Sequence, residues 1–169
     1  MTALLGKLLL LCGCTALGVG RGLALRRRTA CLRAAARALE ALARELSFSL
    51  RPLTELMAEA EGQSDGPVRD LFAACRRRFA EDGGESWARS WTDAVRTCPL
   101  PVRDEDRALL AEAGTVLGRY DGARQQEGLA ALLARLDARI GEAHEEERRL
   151  FRPYAAVGVA AGLFCAILL

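Results

Sequence analysis

Residues 117–143 read LGRYDGARQQEGLAALLARLDARIGEA, and this stretch holds a chain corner followed by a long helix. Gly118 suits the left-handed backbone conformation that ends a helix. Asp121 favours the start of the next helix through capping and the helix dipole, and Gln125 follows one turn later. Positions spaced by three and four then form a heptad-like seam: Gln126, Leu129, Leu133, Leu136, Ile140 and Ala143. We predict two helices joined at a corner, where Leu117, Gly118, Asp121 and Gln125 form a structural motif or contact a partner.

Helical spacing continues through the middle of the chain, and no stretch there alternates as a strand would. A helix from about Leu23 to Leu50 carries a regular apolar stripe. The stripe consists of Leu32, Ala35, Leu39, Leu42 and Leu46. Pro52 suits the first position of a short helix that ends near Ala60, and residues 61–66 form a polar turn.

Proline, glycine and capping residues divide the next part into three more helices. Pro67 opens the first of them, and Gly83-Gly84 ends it. Ser86 caps the second and Asp104 caps the third. Their apolar faces are expected to form a core in which the tryptophans are half-buried: Val68, Leu71, Phe72, Cys75, Phe79, Trp87, Trp91, Ala94, Val95, Leu109, Leu110, Ala113 and Leu117. We therefore predict an all-α protein, a bundle of about six helices.

The composition bounds the class of protein. A chain of 169 residues suits one domain, and 51% hydrophobic with 27% charged residues indicates a folded chain. A net charge of +2 gives no indication of a nucleic-acid partner. The six cysteines form no CxxC pattern, so we interpret them as reduced, small apolar residues and predict no metal site.

No cluster of catalytic or cofactor-binding residues is recognisable in the sequence. Gly6-Lys7 is followed by Leu8, which excludes a P-loop there, and residues 117–129 lack the lysine and the preceding strand of a phosphate loop. His144 lies among glutamates and is expected on a solvated helix face without a nucleophile nearby. We predict a protein without enzymatic activity, catalytic residues or cofactor.

Both ends of the chain are apolar. Residues 8–20 and 154–169 carry no charge, although each run is shorter than the roughly 20 residues of a usual spanning helix. For the C-terminal run, the strongly apolar side chains favour insertion by roughly 2–4 kcal/mol. We predict three segments: an N-terminal transmembrane segment at 1–22, a helical bundle at 23–152, and a C-terminal transmembrane segment at 153–169.

Small residues favour packing between the two membrane segments. Gly158 and Gly162 form a small-xxx-small face that allows close helix approach, and Cys14 with Gly18 is a counterpart. A cleaved signal peptide, a lipoprotein signal with a lipidated cysteine such as Cys14, and a buried soluble helix are alternatives for the N-terminal run. No A-x-A site is evident, and few apolar residues separate Lys7 from the cysteines.

Arginines next to both apolar runs predict the orientation. They are Arg21, Arg26, Arg27, Arg28 and Arg33 after the first run, and Arg148, Arg149 and Arg152 before the second. By the positive-inside rule the middle of the chain is cytoplasmic, and both termini lie on the opposite side of the membrane.

The order and spacing of several short motifs resemble one protein family. These motifs are Pro52-Leu53, Trp91 before Ala94-Val95, Gly114, Leu117-Gly118-xx-Asp121-xxx-Gln125, and a long charged helix entering a glycine-rich apolar end. Over essentially the whole chain they look like the stage III sporulation protein AB family of endospore-forming bacteria. The resemblance implies an antiparallel helical bundle, similar to the cytoplasmic domains of platform proteins in type II secretion and type IV pilus machines.

The resemblance also implies a function and partners. It implies a structural component of the secretion-like complex linking mother cell and forespore, located in the mother-cell membrane around the forespore and required for endospore formation. The implied partners are the stage III sporulation AA protein, a cytoplasmic secretion-type ATPase, and the other membrane proteins of the complex; self-association stays open. A membrane-anchored adaptor or signalling protein unrelated to sporulation is the alternative.

Two residues depart from the family pattern. Tyr120 occupies a position where a small hydroxyl residue usually caps the following helix, so Asp121 is expected to take that role. Pro153 lies at the entry to the C-terminal run, where a kink or restart of the helix is expected.

Overall fold

The computed structural model describes residues 2–48, 51–84, 86–117 and 122–168. It contains six helices: α1 (Thr2–Phe48), α2 (Leu53–Gln63), α3 (Gly66–Glu81), α4 (Trp87–Thr97), α5 (Asp104–Leu117) and α6 (Gly122–Leu168). These four ranges contain no strand. The predicted all-α class with about six helices is confirmed for the part of the chain that the structure describes.

The chain forms two compact units. The smaller unit combines Met1–Thr29 with Gly141–Leu169, and the larger unit is Ala30–Ile140. The long helices α1 and α6 contribute to both units, whereas α2, α3, α4 and α5 belong to the larger one. The division into segments 1–22, 23–152 and 153–169 stays a prediction.

The core of the larger unit follows the predicted helical stripes. The side chains of Leu32, Leu39, Leu56, Leu71, Phe72, Val95, Leu110 and Leu136 are almost completely buried. Trp87 and Trp91 are only 5% and 1% exposed, so the expectation that they are half-buried is wrong. Gln126 of the predicted α6 seam is exposed, and Leu132 is buried instead.

Aromatic contacts join α3 to α4, and a hydrogen bond from Trp91 joins α4 to α5. The ring of Trp91 lies 5.3 Å from that of Phe72 in an edge-to-face arrangement and 5.5 Å from that of Trp87. Its Nε1 donates a 2.7 Å hydrogen bond to the carbonyl of Leu110 on α5. Trp91 therefore buries a large apolar surface and also satisfies its one polar atom, as buried tryptophans usually do.

The C-terminal end of α3 and the N-terminal end of α4 are as predicted. Gly83 and Gly84 have positive φ angles of 66° and 79°, and the amide of Gly84 donates to the carbonyl of Phe79 at 2.9 Å. This geometry satisfies carbonyls that the helix leaves without partners. At the start of α4, the hydroxyl of Ser86 accepts a 3.4 Å hydrogen bond from the amide of Arg89.

Other helix ends differ from the sequence prediction by a few residues. Asp104 is the first residue of α5 rather than the residue before it, and the amide of Arg103 donates to the carboxylate of Asp106 at 3.2 Å. Pro52 likewise precedes α2, and its carbonyl accepts from the amide of Glu55 at 3.0 Å. Residues 61–63, predicted as part of a turn, belong to α2.

The two long helices cross the predicted boundaries between the apolar runs and the bundle. α1 begins at Thr2, so its described backbone is helical on both sides of the predicted boundary at 22 and 23. α6 includes Pro153, where a kink or restart was expected. Across the described residues, none of the helices combines the length and apolarity that crossing a membrane requires.

Three of the six cysteines have described side chains: Cys31, Cys75 and Cys98 are free and buried. Burial raises the pKa of Cys31 to about 11 and the pKa of Cys75 to about 12. Neither thiol is therefore expected to ionise in the folded protein at neutral pH, and both behave as small apolar core residues.

The raised pKa values predict a loss of stability at alkaline pH. Above about pH 9 the unfolded thiols ionise while those of Cys31 and Cys75 stay protonated in the folded chain, which favours unfolding by about 1 kcal/mol per thiol at pH 10. Urea unfolding at pH 8 and pH 10 measures this loss. The double variant Cys31→Ala/Cys75→Ala should lose less stability between the two pH values, and an equal loss would contradict the prediction.

Candidate functional site

The corner between α5 and α6 contains a hydrogen bond that joins the two helices. The side-chain amide of Gln125 donates to the carbonyl of Leu117 at 2.8 Å, and Leu117 is buried. Leu117 ends α5, where backbone carbonyls have no partner within the helix. Gln125 thus caps α5 from the first turn of α6. Gly118 and Asp121, the other two residues of the predicted motif, lie outside the described residues.

Two ion pairs continue this connection along α5 and α6. Arg135 contacts both carboxylate oxygens of Glu112 at 2.8 Å each, and Nε of Arg139 contacts Asp106 at 2.9 Å. Later residues of α6 therefore pair with earlier residues of α5, so the two helices run antiparallel within the larger unit. We call these two pairs and the Leu117–Gln125 hydrogen bond the α5–α6 ladder.

Asp106 is the most deeply buried group of the ladder, with no exposed side-chain surface. Its carboxylate accepts from Arg139 and from the backbone amide of Arg103. Glu105, its neighbour, also contacts Arg139, at 3.4 Å, but is 72% exposed. Because an unpaired buried charge is costly whereas an exposed pair is screened by water, loss of Asp106 should destabilise the fold far more than loss of Glu105.

Arg107 ties α5 to the end of α4. Its guanidinium donates to the carbonyls of Val95, Cys98 at 3.0 Å and Leu100 at 3.2 Å. A planar guanidinium offers several donors in a fixed fork, so one side chain can serve three carbonyls of a helix end and its loop. Asp106, Arg107 and Arg139 belong to none of the predicted sequence motifs.

Gly114 allows α4 and α5 to approach closely. A Cβ atom at this position would lie 2.8 Å from Cδ1 of Trp91 and 3.0 Å from the carbonyl oxygen of Ala88. Any side chain here would therefore force α4 and α5 apart. The glycine singled out in the sequence motif has a packing role.

Three predicted residues remain, two in the C-terminal apolar run and one on the charged part of α6. Gly158 and Gly162 have helical backbone within α6, and their packing lies outside what the structure describes. His144 is 44% exposed on its side chain, and Nδ1 lies 3.8 Å from a carboxylate oxygen of Glu147. Among the described side chains, no group of three or more potential metal ligands is close enough together to hold an ion.

Comparison with known proteins connects this architecture to a family. The sequence model of stage III sporulation protein AB matches residues 3–169. The chain belongs to the stage III sporulation protein AB family. Stage III sporulation protein AB of Bacillus subtilis (strain 168) is 26% identical over 140 residues, which cover 82% of this chain and 80% of that protein.

A solved structure of a stage III sporulation protein AB has the same fold. It superposes with a TM-score of 0.67 over 72% of this chain and 96% of the solved one, at 24% identity. The family match over residues 3–169 confirms the resemblance inferred from the sequence motifs, and the superposition shows that the two chains share a helical fold.

Proposed function

We propose that this member of the family is a structural membrane component of the secretion-like complex that links mother cell and forespore. In this proposal it is not an enzyme, and it docks the stage III sporulation AA protein, a cytoplasmic secretion-type ATPase, onto the other membrane proteins of the complex. The observation that carries the proposal is the family match over residues 3–169.

The arrangement of the larger unit supports a docking role. Its helices are joined by buried contacts, and the α5–α6 ladder sets the position of the two helices that flank the corner. Arg124, Gln126 and Glu127 at the start of α6 present polar groups to solvent. A helix pair held by these contacts, with exposed polar groups at one end, offers a surface to which a protein partner can bind.

Membrane attachment is the second part of the proposal. The apolar runs at 8–20 and 154–169 insert together as a pair, because neither run is long enough to span alone with ease. By the positive-inside rule, the arginines beside both runs support a topology with the larger unit in the mother-cell cytoplasm and both termini across the membrane that surrounds the forespore.

Co-purification of the full-length chain with the AA ATPase from membranes tests the docking. We expect Glu127→Arg to reduce ATPase recovery by about fivefold or more, because a reversed charge opposes a complementary partner surface. Asp137→Arg is the matched control, since Asp137 is an exposed acid further along α6. Unchanged recovery with Glu127→Arg would exclude this contact surface, and failure of the unmodified chain to retain the ATPase would overturn the docking proposal.

A further inference from the structure

The described arginine side chains of the smaller unit fall into two groups. Arg28, whose side chain is 6% exposed, contacts Glu146 at 3.0 Å, and Arg26 contacts Glu147 at 3.5 Å. These two pairs tie α1 to α6. Four further arginines of this unit are exposed and form no ion pair with the described residues: Arg21, Arg27, Arg148 and Arg149. We call these four the arginine collar.

The two ion pairs also set the register of α1 against α6. Arg28 lies opposite Glu146 and Arg26 lies opposite Glu147, so α1 and α6 are antiparallel within the smaller unit. Both helices continue without a break towards the chain ends. Roughly six residues beyond the ion pairs on each helix, or about 9 Å, position 20 of α1 lies at the level of position 153 of α6. The last residue of the run at 8–20 and the first residue of the run at 154–169 are therefore at the same level.

Arg21, Arg148 and Arg149 of the collar lie between this level and the ion pairs, and Arg27 lies at the level of the ion pairs. Arg21 adjoins the run at 8–20, and Arg148 and Arg149 precede position 154 by less than two helical turns. Glu142 and Glu145 lie further from the apolar run along α6, and the other two glutamates of this stretch are neutralised by Arg26 and Arg28. The border of the apolar surface is thus positively charged.

We propose that the arginine collar binds the headgroups of anionic phospholipids. The inference rests on the membrane attachment proposed above, and it specifies the class of lipid that the attached chain prefers. Guanidinium groups match phosphate oxygens in a two-pronged geometry, and basic residues next to a membrane segment are attracted to an anionic leaflet. Headgroups held by these arginines beside both apolar runs would fix the depth of both helices in the bilayer.

Partitioning of the full-length chain into lipid vesicles tests the proposal. Vesicles of phosphatidylcholine alone are compared with vesicles that also contain phosphatidylglycerol, and bound chain is recovered by flotation. The unmodified chain should prefer the anionic vesicles by at least about tenfold, since each basic residue near such a surface contributes roughly fivefold. The variant R21Q/R27Q/R148Q/R149Q should lose most of this preference.

The matched control removes the same number of charges elsewhere. Arg33, Arg37, Arg44 and Arg69 are also exposed but belong to the larger unit. The variant R33Q/R37Q/R44Q/R69Q should keep the preference for anionic vesicles. An equal loss in both variants would show an effect of net charge and overturn the proposal.

Two further outcomes separate this inference from the proposed function. Equal partitioning of the unmodified chain into both kinds of vesicle would overturn lipid selection and leave the membrane attachment standing. Absence of partitioning into either kind would overturn the attachment itself, and the lipid inference with it.

Discussion

Replacing Trp91 with alanine is expected to lower the free energy of unfolding by about 3–5 kcal/mol. The side chain is 1% exposed and packs against the rings of Phe72 and Trp87. Its removal leaves a cavity where α3, α4 and α5 meet, and it also deletes the hydrogen bond to Leu110. Far-ultraviolet circular dichroism during urea unfolding of the full-length chain measures the change.

Two further variants make this expectation specific. Trp91→Phe keeps a ring in the core and should lose less stability than Trp91→Ala, because it removes fewer apolar atoms. Arg89→Ala changes a neighbouring residue on α4 whose side chain is 66% exposed, and no measurable change is expected. If Trp91→Ala and Arg89→Ala unfold at the same urea concentration, the aromatic cluster does not hold these helices together.

Asp106→Ala is expected to lower the free energy of unfolding by about 2–3 kcal/mol. The substitution leaves the guanidinium of Arg139 without its buried partner and the amide of Arg103 without an acceptor. The expected loss is below that of a fully buried pair, because Arg139 is itself 27% exposed and reaches water. Urea unfolding, as for Trp91, measures it.

Glu105→Ala is the matched control for Asp106→Ala. The two acids are neighbours, contact the same Arg139, and differ mainly in exposure, at 72% for Glu105 and none for Asp106. No measurable loss is expected for Glu105→Ala, because exposed ion pairs contribute little to stability. Similar losses in the two variants would mean that burial does not decide the strength of these ion pairs.

Local sequence signals predicted most of the helices. Ser86 and Gly83-Gly84 act through bonds to residues a few positions away, so their roles are visible in a short window of sequence. The same reasoning placed Asp104 and Pro52 one position from their observed roles. Helix ends are harder to predict than helices, since several adjacent residues can serve as the cap.

Contacts between distant parts of the chain could not be predicted from the sequence. Gln125 was expected in a helix corner, but its hydrogen bond to Leu117 depends on how α6 folds back on α5. Asp106 and Arg139 are 33 positions apart, and nothing in the spacing of charges distinguishes that pair from many others. Partners of this kind are set by the register of packed helices, which periodicity alone leaves undetermined.

The placement of both tryptophans in α4 has a spectroscopic consequence. The protein has two tryptophans, they are buried, and their ring centroids are 5.5 Å apart. At that separation the two indoles exchange excitation energy and act as one emitter, shielded from quenchers in solution. Intrinsic fluorescence therefore reports on one helix and its immediate neighbours. A lipid or protein ligand that shifts the emission must have altered the surroundings of α4, and one that binds without doing so leaves the spectrum unchanged.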